Sequence, residues 1–142
     1  MSDTQHEGRE EIRTDKAPAA VGPYSQAVRV GDFLLCSGQI PLDPVAGTMV
    51  GGEFAAQARR VLENLSAVLS AAGASMADVV RTTIYVTDLT DFAALNEIYA
   101  GYFEPPFPAR STVQVAALPR GARVEIDVMA YTPRGGRLKR LS

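Results

Sequence analysis

The chain has one histidine, one cysteine, and no excess of positive charge: 14 basic residues stand against 16 acidic ones, for a net charge of -2. Each scarcity excludes something. A lone cysteine, Cys36, forms no internal disulfide, which fits a reducing compartment and a cytoplasmic protein. One histidine and one cysteine cannot supply a common His/Cys metal cluster, so no metal is expected. His6 lies in a polar tail, which argues against a histidine base or a Ser-His-Asp arrangement. No phosphate-binding Gly-x-x-x-x-Gly-Lys loop occurs, nor a Gly-x-Gly-x-x-Gly after a strand, so no nucleotide cofactor is expected. The overall field does not attract phosphate, which counts against nucleic acid as a partner. No run approaches the ~20 apolar residues of a membrane helix, and the stretch from Met1 to Lys16 lacks the apolar centre of a secretory signal.

At 142 residues, 46% apolar and 21% charged, the chain suits one α+β domain with a real core. Residues 1–9 read as a disordered extension, 10–133 as the domain and 134–142 as a basic tail. Residues 11–14 suggest a first strand. Apolar runs at 27–30 and 33–37 flank Gly31-Asp32, a hairpin turn. From Glu53 to Ala72, Phe54, Ala58, Val61, Leu62, Leu65, Val68 and Leu69 recur at steps of three and four, the stripe of an amphipathic helix, with Gly73 as its cap. Ser75 and Asp78 have capping-box spacing. Residues 79–88 are rich in Val, Thr, Ile and Tyr and read as a strand. A second helix runs from Thr90 or Asp91 to Phe103, where Pro105, Pro106 and Pro108 stop it. Residues 110–118 and 123–132 alternate as strands, with Pro119-Arg120-Gly121 as the turn between them.

Two helices on one face of a mixed sheet is the packing these elements favour. Val113 and Val115 are expected on the helix-facing side with Val124, Ile126 and Val128. The other face then carries Arg110, Thr112, Gln114, Ala116, Glu125, Asp127, Met129 and Tyr131, a mixed surface suited to a second subunit. If 110–118 and 123–132 pair as a hairpin, Arg110 lies opposite roughly residue 130. Glu125 is then about five residues along, or ~16 Å, too far for one small ligand to reach both within a chain.

Five segments in order carry a resemblance. They are Lys16-Ala-Pro-Ala-Ala-Val-Gly-Pro-Tyr-Ser-Gln26, Cys36-Ser-Gly-Gln-Ile-Pro-Leu-Asp-Pro44, Gln57-Ala-Arg-Arg-Val-Leu-Glu-Asn64, Asp91-Phe-Ala-Ala-Leu-Asn-Glu-Ile-Tyr99, and the stretch from Pro108 through Arg110-Ser-Thr-Val-Gln and Leu118-Pro-Arg-Gly to Ile126. Together, from about Glu11 to Tyr131, the chain resembles the RidA-like reactive intermediate (enamine/imine) deaminases. The resemblance implies a chorismate-mutase-like fold and a homotrimer with sites between subunits. It also implies cofactor-free hydrolysis of 2-iminopropanoate and 2-iminobutanoate to 2-oxo acids and ammonia, protecting pyridoxal-phosphate enzymes.

The family pattern assigns roles. Arg110 falls on the carboxylate-binding arginine, and a guanidinium fork holds a carboxylate through two parallel hydrogen bonds. Glu125 falls on the acidic residue that would activate water, with Asp127 as its neighbour on the same face. Tyr24, Ser37, Gly38 and Asn96 fall on pocket positions. Thr112 stands where many members carry cysteine; its hydroxyl can still bond a carboxylate, but thiol chemistry is lost. The plainer readings are a surface arginine, a solvated glutamate, a core tyrosine, a strand-end turn and a polar helix face. Cys36 reads as a buried small apolar residue. Two other functions remain open: a non-catalytic carboxylate-binding regulatory or chaperone-like trimer, and an RNA-cleaving translation inhibitor using the basic run Arg134, Arg137, Lys139 and Arg140.

Overall fold

A computed structural model describes residues 8–133; the expected basic tail and most of the expected N-terminal extension lie outside that range. The described residues include six strands: β1 Glu10–Ile12, β2 Ala27–Val30, β3 Phe33–Gln39, β4 Val79–Val86, β5 Ala109–Gln114 and β6 Val124–Tyr131. They form one sheet in the order β1-β2-β3-β6-β4-β5. Helix α1 (Phe54–Ala71) and helix α2 (Phe92–Ala100) pack on the same face, giving the expected α+β layering.

The stripe on α1 is the centre of the core. Ala58, Val61, Leu62, Leu65, Val68 and Leu69 are wholly buried against Leu34, Ile84, Val124, Ile126 and Ala130 of the sheet. Gly73, at φ +78, ends the helix. Its N–H and that of Ala74 donate back to the carbonyls of Ser70 and Leu69, closing the last turn. The Ser75–Asp78 spacing forms a single 3-10 turn in which the Asp78 carboxylate accepts from the Ser75 N–H. The β2–β3 hairpin turns at Gly31, at φ +57, as the sequence indicates. Helix α2 is shorter than expected. A 3-10 turn at Leu89–Asp91, capped by the Asp88 side chain, precedes it; Asp91 stands at the N-cap of the helix itself without a side-chain capping bond, and the helix ends at Ala100.

The expected β5–β6 hairpin does not form. Strand β4 lies between the two, parallel to β5 and antiparallel to β6. The cause is α2, a crossover helix that returns the chain beside β4 in the same direction. Two corrections follow. Arg110 sits beside Thr82, which in turn pairs with Val128, so the register placing Arg110 opposite residue 130 is wrong. The faces of β5 are also reversed. Arg110, Thr112 and Gln114 share the helix side with Thr82, Ile84 and Val86, while Ser111 and Val113 join the open side. Val115, Ala116 and Ala117 lie beyond the strand.

The faces of β6 are as expected: Val124, Ile126, Val128 and Ala130 point inward, and Glu125, Asp127, Met129 and Tyr131 point outward. The open face leaves Phe33, Leu35, Val113 and Tyr131 each at least 40% exposed. Among the described residues no helix is long and apolar enough to cross a membrane.

Asn64 ties the long loop before α1 to the core. It is wholly buried, and its amide donates to the carbonyls of Leu42 (3.0 Å) and Ile40 (3.4 Å). Asn64→Leu strands those carbonyls, so urea unfolding is expected to show a loss of about 1–3 kcal/mol.

Candidate functional site

The residues singled out from sequence fall into two groups at different places on the chain. The first surrounds a cleft of about 680 Å³ whose lining includes Tyr24, Ser37, Gly38, Pro119, Arg120 and Glu125. Gln26 builds one wall. Its buried side chain accepts from the Thr14 N–H (2.8 Å) and donates to the carbonyls of Thr14 (3.0 Å) and Pro18 (2.8 Å), pinning the segment that leads to Tyr24. Ser37 ties in the next strand: its hydroxyl donates to the Ser25 carbonyl at 2.6 Å.

Glu125 reaches the cleft because β3 carries one extra residue there. Cys36 pairs with Val128 and Gln39 with Ile126, so three steps on β3 match two on β6 and a bulge forms at Ser37-Gly38. The Glu125 side chain lies across Gly38. A Cβ there would collide with Oε2 and sit 2.9 Å from Cδ. Among the described residues nothing hydrogen-bonds or ion-pairs with the Glu125 carboxylate. Its pKa is raised, chiefly by burial and then by the charge of Asp127. Asp127 is raised by burial too, but it accepts a 3.2 Å hydrogen bond from the Tyr85 hydroxyl, which pulls the other way, and it does not line the cleft. Of the two carboxylates, Glu125 is the one free to meet a ligand. Cys36 is buried, and that burial pushes its thiol up to about 12, which fits a packing role.

The second group gathers at the sheet edge beneath α2. Arg110 donates from Nη2 to the Asn96 Oδ1 at 2.7 Å. Its guanidinium carbon lies 4.9 Å from the centre of the Tyr99 ring and 5.5 Å from that of Phe92. Among the described residues Arg110 makes no salt bridge, so the charge is oriented but not neutralised. Thr112, two residues along the same side of β5, has a buried hydroxyl with no hydrogen-bond partner among the described residues.

The two groups do not meet within one chain. Glu125 lies in the row of Tyr85 and Val113, Arg110 in that of Thr82 and Val128. That is three residues, or roughly 10 Å, along the strands, two strands across, and on the opposite face of the sheet.

Residues 14–132 match the family described as endoribonuclease L-PSP. The chain belongs to this family. Within it, the chain is 58% identical over 126 residues to protein DfrA of Myxococcus xanthus, covering 87% of this chain and 96% of that one. It is 51% identical over 122 residues to the 2-iminobutanoate/2-iminopropanoate deaminase of Mus musculus, covering 86% and 90%. It also superposes on the crystal structure of RidA from the Antarctic bacterium Psychrobacter sp. PAMC 21119 with a TM-score of 0.83, at 51% identity, over 86% of this chain and 98% of that one. The RidA-like resemblance carried by the five motifs is thereby established, and with it the fold.

Two residues at the cleft escaped the sequence reading. Gln26 lies in a quoted motif, but nothing in a glutamine announces three carbonyl and amide partners. Arg120 was read as part of a turn and of the last motif, with no role of its own. It takes the left-handed conformation, at φ 59, unusual for a side chain with a Cβ, and donates to the Gly47 carbonyl (3.2 Å) at the cleft.

Because the Glu125 carboxyl holds its proton more tightly folded than unfolded, the stability it contributes is present in acid and lost as pH rises through its raised folded value. Glu125→Gln is therefore expected to unfold at higher urea than the natural chain at pH 7, with the difference shrinking towards pH 4. Gly38→Ala is expected to displace the Glu125 carboxylate, visible in a crystal structure of the variant, because the added methyl has no room.

Proposed function

We propose that the protein hydrolyses reactive 2-imino acids and their enamine tautomers, 2-iminopropanoate and 2-iminobutanoate among them, to 2-oxo acids and ammonia. The observation that carries this reading is Arg110: a cation stacked on two rings, aimed by Asn96 and left without a carboxylate partner. A small carboxylate is the ligand such a fork takes. The name of the mouse relative, at 51% identity, supports the same chemistry.

The reaction asks little of the protein. Arg110 holds the substrate carboxylate, with the free Thr112 hydroxyl beside it. With the imine protonated, Glu125 takes a proton from water as the oxygen bonds to the imine carbon, giving a neutral tetrahedral carbinolamine. It then returns that proton to the nitrogen; the C–N bond breaks as the hydroxyl passes its own proton to the freed Glu125 carboxylate and becomes the carbonyl of the 2-oxo acid, and ammonia leaves, taking that proton as ammonium. Water is consumed and no electrons are transferred, so no cofactor is required. A carboxylate whose pKa is raised by burial is suited to these transfers. Tyr24, Ser37 and Gly38 shape the wall on the Glu125 side, and Asn96 orients Arg110.

Arg110 of one chain and Glu125 of another act together in this reading, in a homotrimer joined through the open sheet faces. The separation of the two groups and the exposed Phe33, Leu35, Val113 and Tyr131 support it. The setting is the cytoplasm, where removal of imines shed by pyridoxal-phosphate enzymes protects those enzymes. A passive carboxylate binder gains nothing from the negative charge of Glu125.

The test generates both imines with an amino-acid oxidase and traps the survivors with semicarbazide. Arg110→Ala is expected to lose roughly 100-fold in kcat/KM, and Glu125→Gln roughly 100-fold or more in kcat. Unfolding and refolding the two variants together is expected to restore activity to roughly a quarter of sites, since only a seam that sets the intact arginine of one variant against the intact glutamate of the other is whole. If the natural chain leaves both imines untouched, the deaminase reading fails; if mixing restores nothing, the shared site fails.

A further inference from the structure

We infer that Tyr99, tethered by Thr82, is a positioning residue for Arg110: one buried threonine–tyrosine hydrogen bond fixes the aromatic shelf on which the guanidinium lies. The inference rests on the reading above for what Arg110 binds, and on the geometry for everything else.

Thr82 is wholly buried in β4, on the side packed by the helices, between Val79, Ile84 and Val86. Valine has nearly the same shape and would suit that apolar surface. A buried hydroxyl without a partner is costly, and this one has a single described partner, the Tyr99 hydroxyl at 2.9 Å. Tyr99 in turn is 5% exposed, and its ring stacks on Phe103 with centroids 4.4 Å apart. The ring is thus braced at its tip by Thr82 and along its body by Phe103 in this position.

That position matters because of what lies next to it. Phe92, Asn96 and Tyr99 are spaced by four and three residues and so form one stripe of α2. The stripe meets Arg110 with a ring, an amide and a second ring. Helix α2 has only nine residues, and Thr82–Tyr99 is the side-chain hydrogen bond joining it to β4. Thr82 is also the residue paired with Arg110 across the β4–β5 ladder. The three residues therefore close a triangle: ladder from Thr82 to Arg110, hydrogen bond from Thr82 to Tyr99, ring face from Tyr99 back to Arg110. Cutting the hydrogen bond frees the shelf to tilt, and the fork aimed by Asn96 loses its bearing. Burial holds the Tyr99 hydroxyl protonated, so it acts through place rather than proton transfer.

The test compares Thr82→Val, which keeps shape and removes the hydroxyl, with Thr82→Ser, which keeps the hydroxyl, and Tyr99→Phe, which removes the other partner. For 2-iminobutanoate, Thr82→Val and Tyr99→Phe are expected to raise KM about 3–10-fold, the equivalent of one net hydrogen bond, with kcat changed far less. Thr82→Ser is expected to restore KM. A second readout needs no catalysis: the Nε–Hε resonance of Arg110, shifted by the ring currents of Tyr99 and Phe92, is expected to move towards its free position in Thr82→Val and Tyr99→Phe and to return in Thr82→Ser. An unchanged Arg110 resonance in folded Thr82→Val and Tyr99→Phe overturns the inference, leaving the pair a core contact. A natural chain inactive on imines overturns the deaminase reading instead, and the resonance still decides the role of Tyr99.

Discussion

Strand β4 is the constraint on which the site depends. It is bonded on both sides, antiparallel to β6 and parallel to β5, because α2 carries the chain over the sheet and sets β5 down beside it in the same direction. A hairpin would have put β5 directly against β6 and brought their side chains into register. The inserted strand instead moves Arg110 to the sheet edge, turns it to the helix side and leaves Glu125 on the other face. The two charges with the clearest chemistry are thus held apart by the ladder itself.

Each charge is prepared in a different way. Arg110 is held by stacking: two rings and an amide of α2 orient its planar guanidinium. Glu125 is placed by subtraction. The bulge at Ser37-Gly38 and the missing Cβ of Gly38 open the space its carboxylate fills, and burial, then the charge of Asp127, keeps its proton affinity high. Gln26 and Ser37 then hold the loop carrying Tyr24 over the same cleft. Backbone irregularity and polar ties, rather than the apolar core, shape this wall.

Much of this was legible in the residues. The stripe of α1 runs from Phe54 to Leu69 with few interruptions, so its buried face could be named residue by residue, and Gly31 and Gly73 marked their turns. The order of motifs named the family. Strand pairing was not legible in the same way. Val113 and Ser111 alternate like any half-buried strand, and alternation says which residues share a face, not which face it is; that was decided by the neighbour of β5, which depends on a crossover. The bulge that aims Glu125 and the left-handed Arg120 are likewise consequences of tertiary packing, with no local signature to read.

The unneutralised Arg110 has a thermodynamic consequence for the chain as a material. A cation held open by the fold and dispersed in the unfolded chain makes the native state the better anion acceptor. On the proposed role of Arg110, each small carboxylate it takes adds to the folding free energy with the logarithm of its concentration over its dissociation constant. Acetate, citrate and the 2-oxo acids are, on that reading, ligands of the native state rather than inert buffers. Its measured stability belongs to the chain together with the solution around it.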